Sequence, residues 1–91
     1  MLTPPTPAAN RLRILIADDD PSLRIALRLV LEDAGHHVIE ATAEPEARFR
    51  LREGRIDIAL IDAGMSGTGV SLWSDLQADG GWKGRALLVT G

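Results

Sequence analysis

The residues that could do chemistry in this chain are acids placed at the ends of apolar runs. Asp18, Asp19 and Asp20 follow Ile14-Leu15-Ile16-Ala17 without a gap, and Asp62 closes a second run, Ile58-Ala59-Leu60-Ile61. Thr90 closes a third, Ala86-Leu87-Leu88-Val89. Two carboxylates ~5 Å apart repel by roughly 3 kcal/mol at an effective dielectric of about 20, so three in a row need a reason. Asp20 has one. It stands before Pro21, where an acid caps a helix N-terminus and meets the positive end of its dipole. Asp18 and Asp19 have no evident structural task. Two readings stay open for them: solvated loop residues, or ligands of a hard divalent cation, for which carboxylate oxygens are suited.

The elements that must position these acids follow from periodicity. Short continuous apolar runs rich in branched residues read as strands buried on both faces. Strands are expected over about 12–17, 37–41 (HVIEA), 55–62 and 85–90, with Ala86 to Val89 buried in the last. Leu23, Leu27, Val30, Leu31 and Ala34 recur at helical spacing and predict a helix over 21–34, stopped at Gly35. Arg48-Phe49-Arg50-Leu51-Arg52 alternates like a strand, whereas Glu46, Ala47 and Glu53 favour helix by propensity. We read a helix over 45–53, with Thr42 as candidate cap and Gly54 as its end. Ala63 to Gly69 (AGMSGTG) reads as a loop. Leu72, Trp73 and Leu76 predict a helix over 70–78, broken by Asp79-Gly80-Gly81. Strands alternating with short helices imply an α/β fold, a parallel sheet with right-handed crossovers. If the first and third strands are neighbours, Asp18, Asp19 and Asp62 meet at the carboxyl edge of the sheet, with Thr90 on the next strand. Ligands of open parallel sheets bind at that edge.

Composition narrows the function classes. Ninety-one residues make one small domain, and 45% hydrophobic with 25% charged residues suits a globular protein. A formal net charge of −3 offers no electrostatic case for direct nucleic-acid binding. The absence of cysteine rules out disulfides and thiol chemistry and makes the cytoplasm the default setting. No apolar run reaches the roughly 18 residues of a membrane span. Residues 1–10, with three prolines and few bulky apolar side chains, read as a flexible lead.

Other suggestive groups are better explained as structure. His36 and His37 are adjacent, and on extended backbone adjacent side chains point to opposite faces, so a turn is favoured over a paired site. Arg48, Arg50, Arg52 and Arg55 could bind an anion, but four arginines around a helix are more often a solvated face. Trp82 is expected to pack beneath its loop rather than serve as a ligand platform.

Three carboxylates beside a hydroxyl are relieved by a Mg²⁺ ion. One of the carboxylates could then attack phosphorus and form an acyl phosphate, with the metal neutralising charge on the transferred group. Thr90 could donate a hydrogen bond to that group, and Gly64 and Gly67 would let the loop backbone approach the ion. Taken together, ILIADDDPSLRIAL, DIALIDAGMSGTGVSLW and ALLVTG, in that order and spacing over residues 12 to 91, resemble a response-regulator receiver domain, the module of two-component signalling. The resemblance implies a flavodoxin-like three-layer sheet of order 2-1-3-4, with the site at the switch point between strands one and three. It implies Asp62 as phosphoacceptor and Asp18 and Asp19 as the acidic pair, Asp19 being the direct Mg²⁺ ligand. It further implies Gly64 as a metal ligand through its backbone carbonyl, Thr90 as switch hydroxyl, and a histidine kinase or phosphotransfer protein as partner. Such a chain is a signalling domain rather than an enzyme, at most catalysing its own phosphorylation.

The chain departs from the family pattern in two ways. Met65 is followed by Ser66 where the family has proline, and Thr68-Gly69 comes one residue early. The chain also stops after strand four, so residues 11–91 are expected to be an incomplete receiver domain, without its fourth helix, fifth strand and fifth helix. Lys83, the one lysine, precedes strand four and is given no catalytic role. A free strand-four edge invites self-association. Two alternatives remain: an unphosphorylated receiver remnant that docks partners, and a haloacid-dehalogenase-type phosphatase with Asp18 as nucleophile and Asp20 as acid/base.

Overall fold

The computed structural model describes residues 11–89, the Ser66 side chain excepted. The 1–10 lead and Thr90 therefore lie outside the described residues. Each apolar run forms a strand and each amphipathic stretch a helix. Their order is β1 (Arg13–Ala17), α1 (Pro21–Asp33), β2 (His37–Ala41), α2 (Glu44–Glu53), β3 (Ile58–Asp62), a 3-10 turn (Met65–Gly67), α3 (Gly69–Ala78) and β4 (Arg85–Val89). The strands pair in parallel in the order β2-β1-β3-β4. This is the flavodoxin-like arrangement that the sequence implied.

The core lies between the sheet and α2 and α3. Leu15, Ala17, Ala41, Ala59, Ile61 and Ala86 from the strands meet Ala47 of α2, Met65 of the turn and Leu72 of α3. Trp82 packs against the same cluster, as expected of it. The cluster takes Leu15 and Ala17 of β1 but not Ile14 and Ile16, which alternate to the opposite face, where α1 packs on β1 and β2. Four consecutive residues of β1, from Ile14 to Ala17, are buried, as expected of a central strand covered on both sides.

Several expectations are corrected. Ile58 and Leu60 of β3 and Leu88 and Val89 of β4 are half-buried rather than buried, and Leu87 of β4 is 52% exposed; on the side of Leu60 and Leu87 no helix among the described residues covers β3 and β4. The third strand starts at Ile58, not Arg55. Before it, Asp57 ties the amino edge together, its Oδ2 accepting the Arg13 amide at 2.8 Å and its own amide donating to the Arg13 carbonyl. α1 buries no residue fully, and Leu23, Ile25, Leu29 and Val30 are exposed. The periodicity of α1 located the helix correctly but overstated its cover. α2 starts at Glu44 with Ala43 at its N-cap, and Thr42 is no cap. Instead the Thr42 amide donates to Glu46 Oε1 at 2.8 Å. The alternation in α2 is incidental, since Phe49 faces solvent and Ala47 and Leu51 face the core.

Candidate functional site

Strand register builds the site. Ala17 of β1 lies opposite Ile61 of β3 and Ala41 of β2. Parallel strands end on the same edge, so the next residue along β1, Asp18, emerges beside Asp62. The Asp18 amide donates to the Ala41 carbonyl at 3.0 Å, which carries the β1–β2 ladder one step beyond the strand. Asp18 is 3% exposed, the one buried charged residue among those described. Its Oδ1 accepts the Asp20 amide at 2.8 Å, closing a turn that brings the chain round into α1. Asp20 Oδ1 in turn accepts the Ser22 amide at 3.0 Å, capping α1, whose first residue is Pro21.

Asp18, Asp19 and Asp62 gather into one cluster, each offering a carboxylate oxygen, with these oxygens within 4.8 Å of one another. Burial pushes the Asp18 carboxyl above its ordinary pKa, and the charges of Asp62, Asp19 and Asp20 push it the same way, against the Asp20 amide, which pulls it down. A buried anion facing two more anions is the condition a hard divalent cation relieves, and three carboxylates are a fitting donor set for Mg²⁺. Asp20 stands outside this cluster, engaged at the helix end.

The loop after β3 shapes the other side. Asp62 Oδ1 accepts the Gly64 amide at 3.1 Å. The Gly64 carbonyl accepts from the Gly67 amide at 3.3 Å, a long bond at the start of the 3-10 turn. Met65 is wholly buried and pins this turn to the core. Gly67 has φ +74, a backbone region that side chains disfavour. Sequence reasoning singled out Gly64 and Gly67 but missed Gly69. A Cβ there would sit 1.8 Å from the Asp62 carbonyl oxygen, so only glycine lets α3 start against the Asp62 backbone. The signal was available: Gly69 opens a helix where a cap would be expected.

The remaining candidates lie elsewhere. His36 Nδ1 accepts the Leu12 amide at 3.1 Å, which gives it a structural bond, and His37 is exposed. Arg48 pairs with Glu44 at 3.0 Å and Asp75 at 2.7 Å, joining α2 to α3. Lys83 is exposed and precedes β4, at the amino edge of the sheet, opposite the acids.

The family model for the response regulator receiver domain matches residues 14–91. The transcriptional regulatory protein PhoP of Escherichia coli (strain K12) is 39% identical over 54 residues, which cover 59% of this chain and 24% of that protein. The virulence transcriptional regulatory protein PhoP of Shigella flexneri matches to the same extent. The chain thus spans 24% of the length of these curated relatives. Among solved structures, a response regulator from Thermotoga maritima aligns with TM-score 0.77 and 21% identity, covering 88% of this chain and 66% of that one. The MaeR response regulator bound to beryllium trifluoride aligns with TM-score 0.79 and 25% identity, covering 88% and 67%.

Proposed function

The chain belongs to the response regulator receiver domain family, and on that premise we propose that it is a phosphoacceptor whose Asp62 takes a phosphoryl group from a histidine kinase or phosphotransfer protein. One observation carries the reading: the oxygens of Asp18, Asp19 and Asp62 lie within 4.8 Å of one another at the carboxyl edge of the sheet. Asp18, Asp19, Asp62 and the Gly64 carbonyl would hold Mg²⁺, with Asp19 the direct carboxylate of the acidic pair. The ion, when bound, supplies charge neutralisation and an open position for a phosphoryl oxygen.

The chain's own residues do the rest. An Asp62 carboxylate oxygen forms a bond to phosphorus as the bond from phosphorus to the donor breaks, and the electron pair leaves with the donor. The product is an acyl phosphate on Asp62. The Gly64 amide, already bonded to Asp62 Oδ1, orients the carboxylate for that attack. Thr90, the residue that follows β4 in the sequence, would donate its hydroxyl to the phosphoryl group and so shift the surface that relays the signal. No lysine of this chain is assigned to the site. The setting we infer is cytoplasmic, and no helix among the described residues is long and apolar enough to cross a membrane.

Incubation with acetyl phosphate and Mg²⁺, read by intact mass, tests the reading. One labile phosphoryl group is expected on the wild type, none on Asp62→Ala, and one on Asp20→Ala. A chain that gains nothing is the docking remnant. Labelling that survives Asp62→Ala but needs Asp18 and Asp20, with turnover, is the phosphatase. That second outcome runs against Asp20's engagement at the end of α1.

A further inference from the structure

Arg24 reaches the acidic site from behind. It lies on the first turn of α1, its amide bonded to the Asp20 carbonyl at 3.0 Å. Its Nη1 donates to the Asp18 carbonyl oxygen at 2.9 Å, and its Nε donates to Glu40 Oε1 at 2.9 Å. Glu40 stands on β2 opposite Ile16, on the face that α1 covers, and its second oxygen accepts from Arg28 Nη1. The Arg24 side chain is 15% exposed, so the fork works in a partly dry environment where charge-assisted bonds hold their geometry.

We infer that Arg24 is a positioning residue for the acidic site, fixing the Asp18–Asp19 peptide by clamping the Asp18 carbonyl to Glu40. The amide of Asp18 is already fixed on Ala41 and its carboxylate on the Asp20 amide. The Asp18 carbonyl sets the plane of the peptide that leads into Asp19. Holding it therefore decides where the Asp19 side chain begins, and with it the spacing of the two acids. A planar guanidinium spans two acceptors at fixed angles, which a lysine ammonium does not do. Neighbouring Arg28 supplies the contrast. It carries the same charge and shares Glu40, but its other partner is Glu32.

The inference rests on the phosphoacceptor reading in so far as the site takes Mg²⁺. Calorimetric Mg²⁺ titration of the full chain and of Arg24→Gln, Arg28→Gln and Arg24→Lys tests it, with urea unfolding run on each. Residues that orient metal ligands from behind typically carry 10–100-fold in affinity, so Arg24→Gln is expected to weaken Mg²⁺ binding by about tenfold. Arg28→Gln, with the same loss of charge, is expected to stay within about twofold. Arg24→Lys is expected to keep most of the loss seen in Arg24→Gln, and it carries the test alone if the glutamine variant does not fold. Equal weakening by Arg24→Gln and Arg28→Gln overturns the proposal, as does full recovery in Arg24→Lys, which would mean that charge and not position matters. A wild type that takes up no Mg²⁺ defeats the phosphoacceptor reading instead. The positioning role is then read in the metal-free protein, where the Asp19 and Asp20 amide resonances should shift in Arg24→Gln and not in Arg28→Gln. Unshifted resonances overturn it.

Discussion

Asp18 is caught between two demands, burial and charge. Its carboxyl is pushed up first by desolvation and then by Asp62, Asp19 and Asp20. A carboxyl raised in the folded state binds a proton more readily there than in the unfolded chain. Between the ordinary carboxylate value and the raised one, the folded state therefore carries more protons, and stability falls as pH rises through that window. The metal-free protein should accordingly gain stability on acidification through the window, until other acids protonate. Asp18→Asn should flatten this slope and raise the urea midpoint at neutral pH, while abolishing Mg²⁺ uptake. Urea unfolding at a series of pH values, with and without Mg²⁺, checks both. A slope of the opposite sign would mean that Asp18 has a cationic partner and the cluster is not strained.

At the scale of elements, the loop from β3 to α3 is the most constrained part of the site. Alanine at Gly69 puts its Cβ 1.8 Å from the Asp62 carbonyl oxygen, a contact that only a backbone shift can relieve. Overpacking of this kind costs about 1–3 kcal/mol, so Gly69→Ala should lower stability by about that amount or more and should also reduce Asp62 phosphorylation. Urea midpoints and acetyl phosphate labelling measure the two effects. α1 behaves differently. Leu29 is 59% exposed, so Leu29→Gln should change stability by less than about 0.5 kcal/mol. Leu72, 1% exposed in α3, should cost about 2–5 kcal/mol on truncation to alanine. The same unfolding assay ranks them, and comparable losses would mean that α1 is buried in solution.

At the scale of the whole molecule, Asp18, Asp19 and Asp62 cluster at the carboxyl edge of the sheet, while Arg13, Arg55, Lys83 and Arg85 lie at or before the amino ends of strands, together with Asp57. The covering of the sheet is uneven. α2 and α3 close one face, whereas the other exposes Leu87 on β4, which is one of the two outer strands among the described residues. An outer strand with exposed apolar side chains pairs readily with another chain. Sedimentation of this chain should show mass rising with concentration, and Leu87→Lys should suppress the rise. A stable, well-folded monomer at high concentration would count against association through this edge.

The sequence by itself was enough for the four strands and three α-helices, the parallel sheet and the acids at its carboxyl edge, but not for the 3-10 turn at Met65–Gly67. Those features depend on local periodicity and on where charge interrupts an apolar run, and both can be read along a single strand or helix. Tertiary structure alone decided the rest. The β1–β3 register set Asp18 beside Asp62, the uncovered side of the sheet left Leu60 half-buried and Leu87 exposed, and the approach of α3 made Gly69 obligatory. Arg24 was legible only as one polar residue on an amphipathic helix, because its two acceptors lie 6 and 16 residues away and meet it only once β2 lies beside β1. Burial and close approach are set by what packs opposite a residue, and that partner comes from elsewhere in the chain.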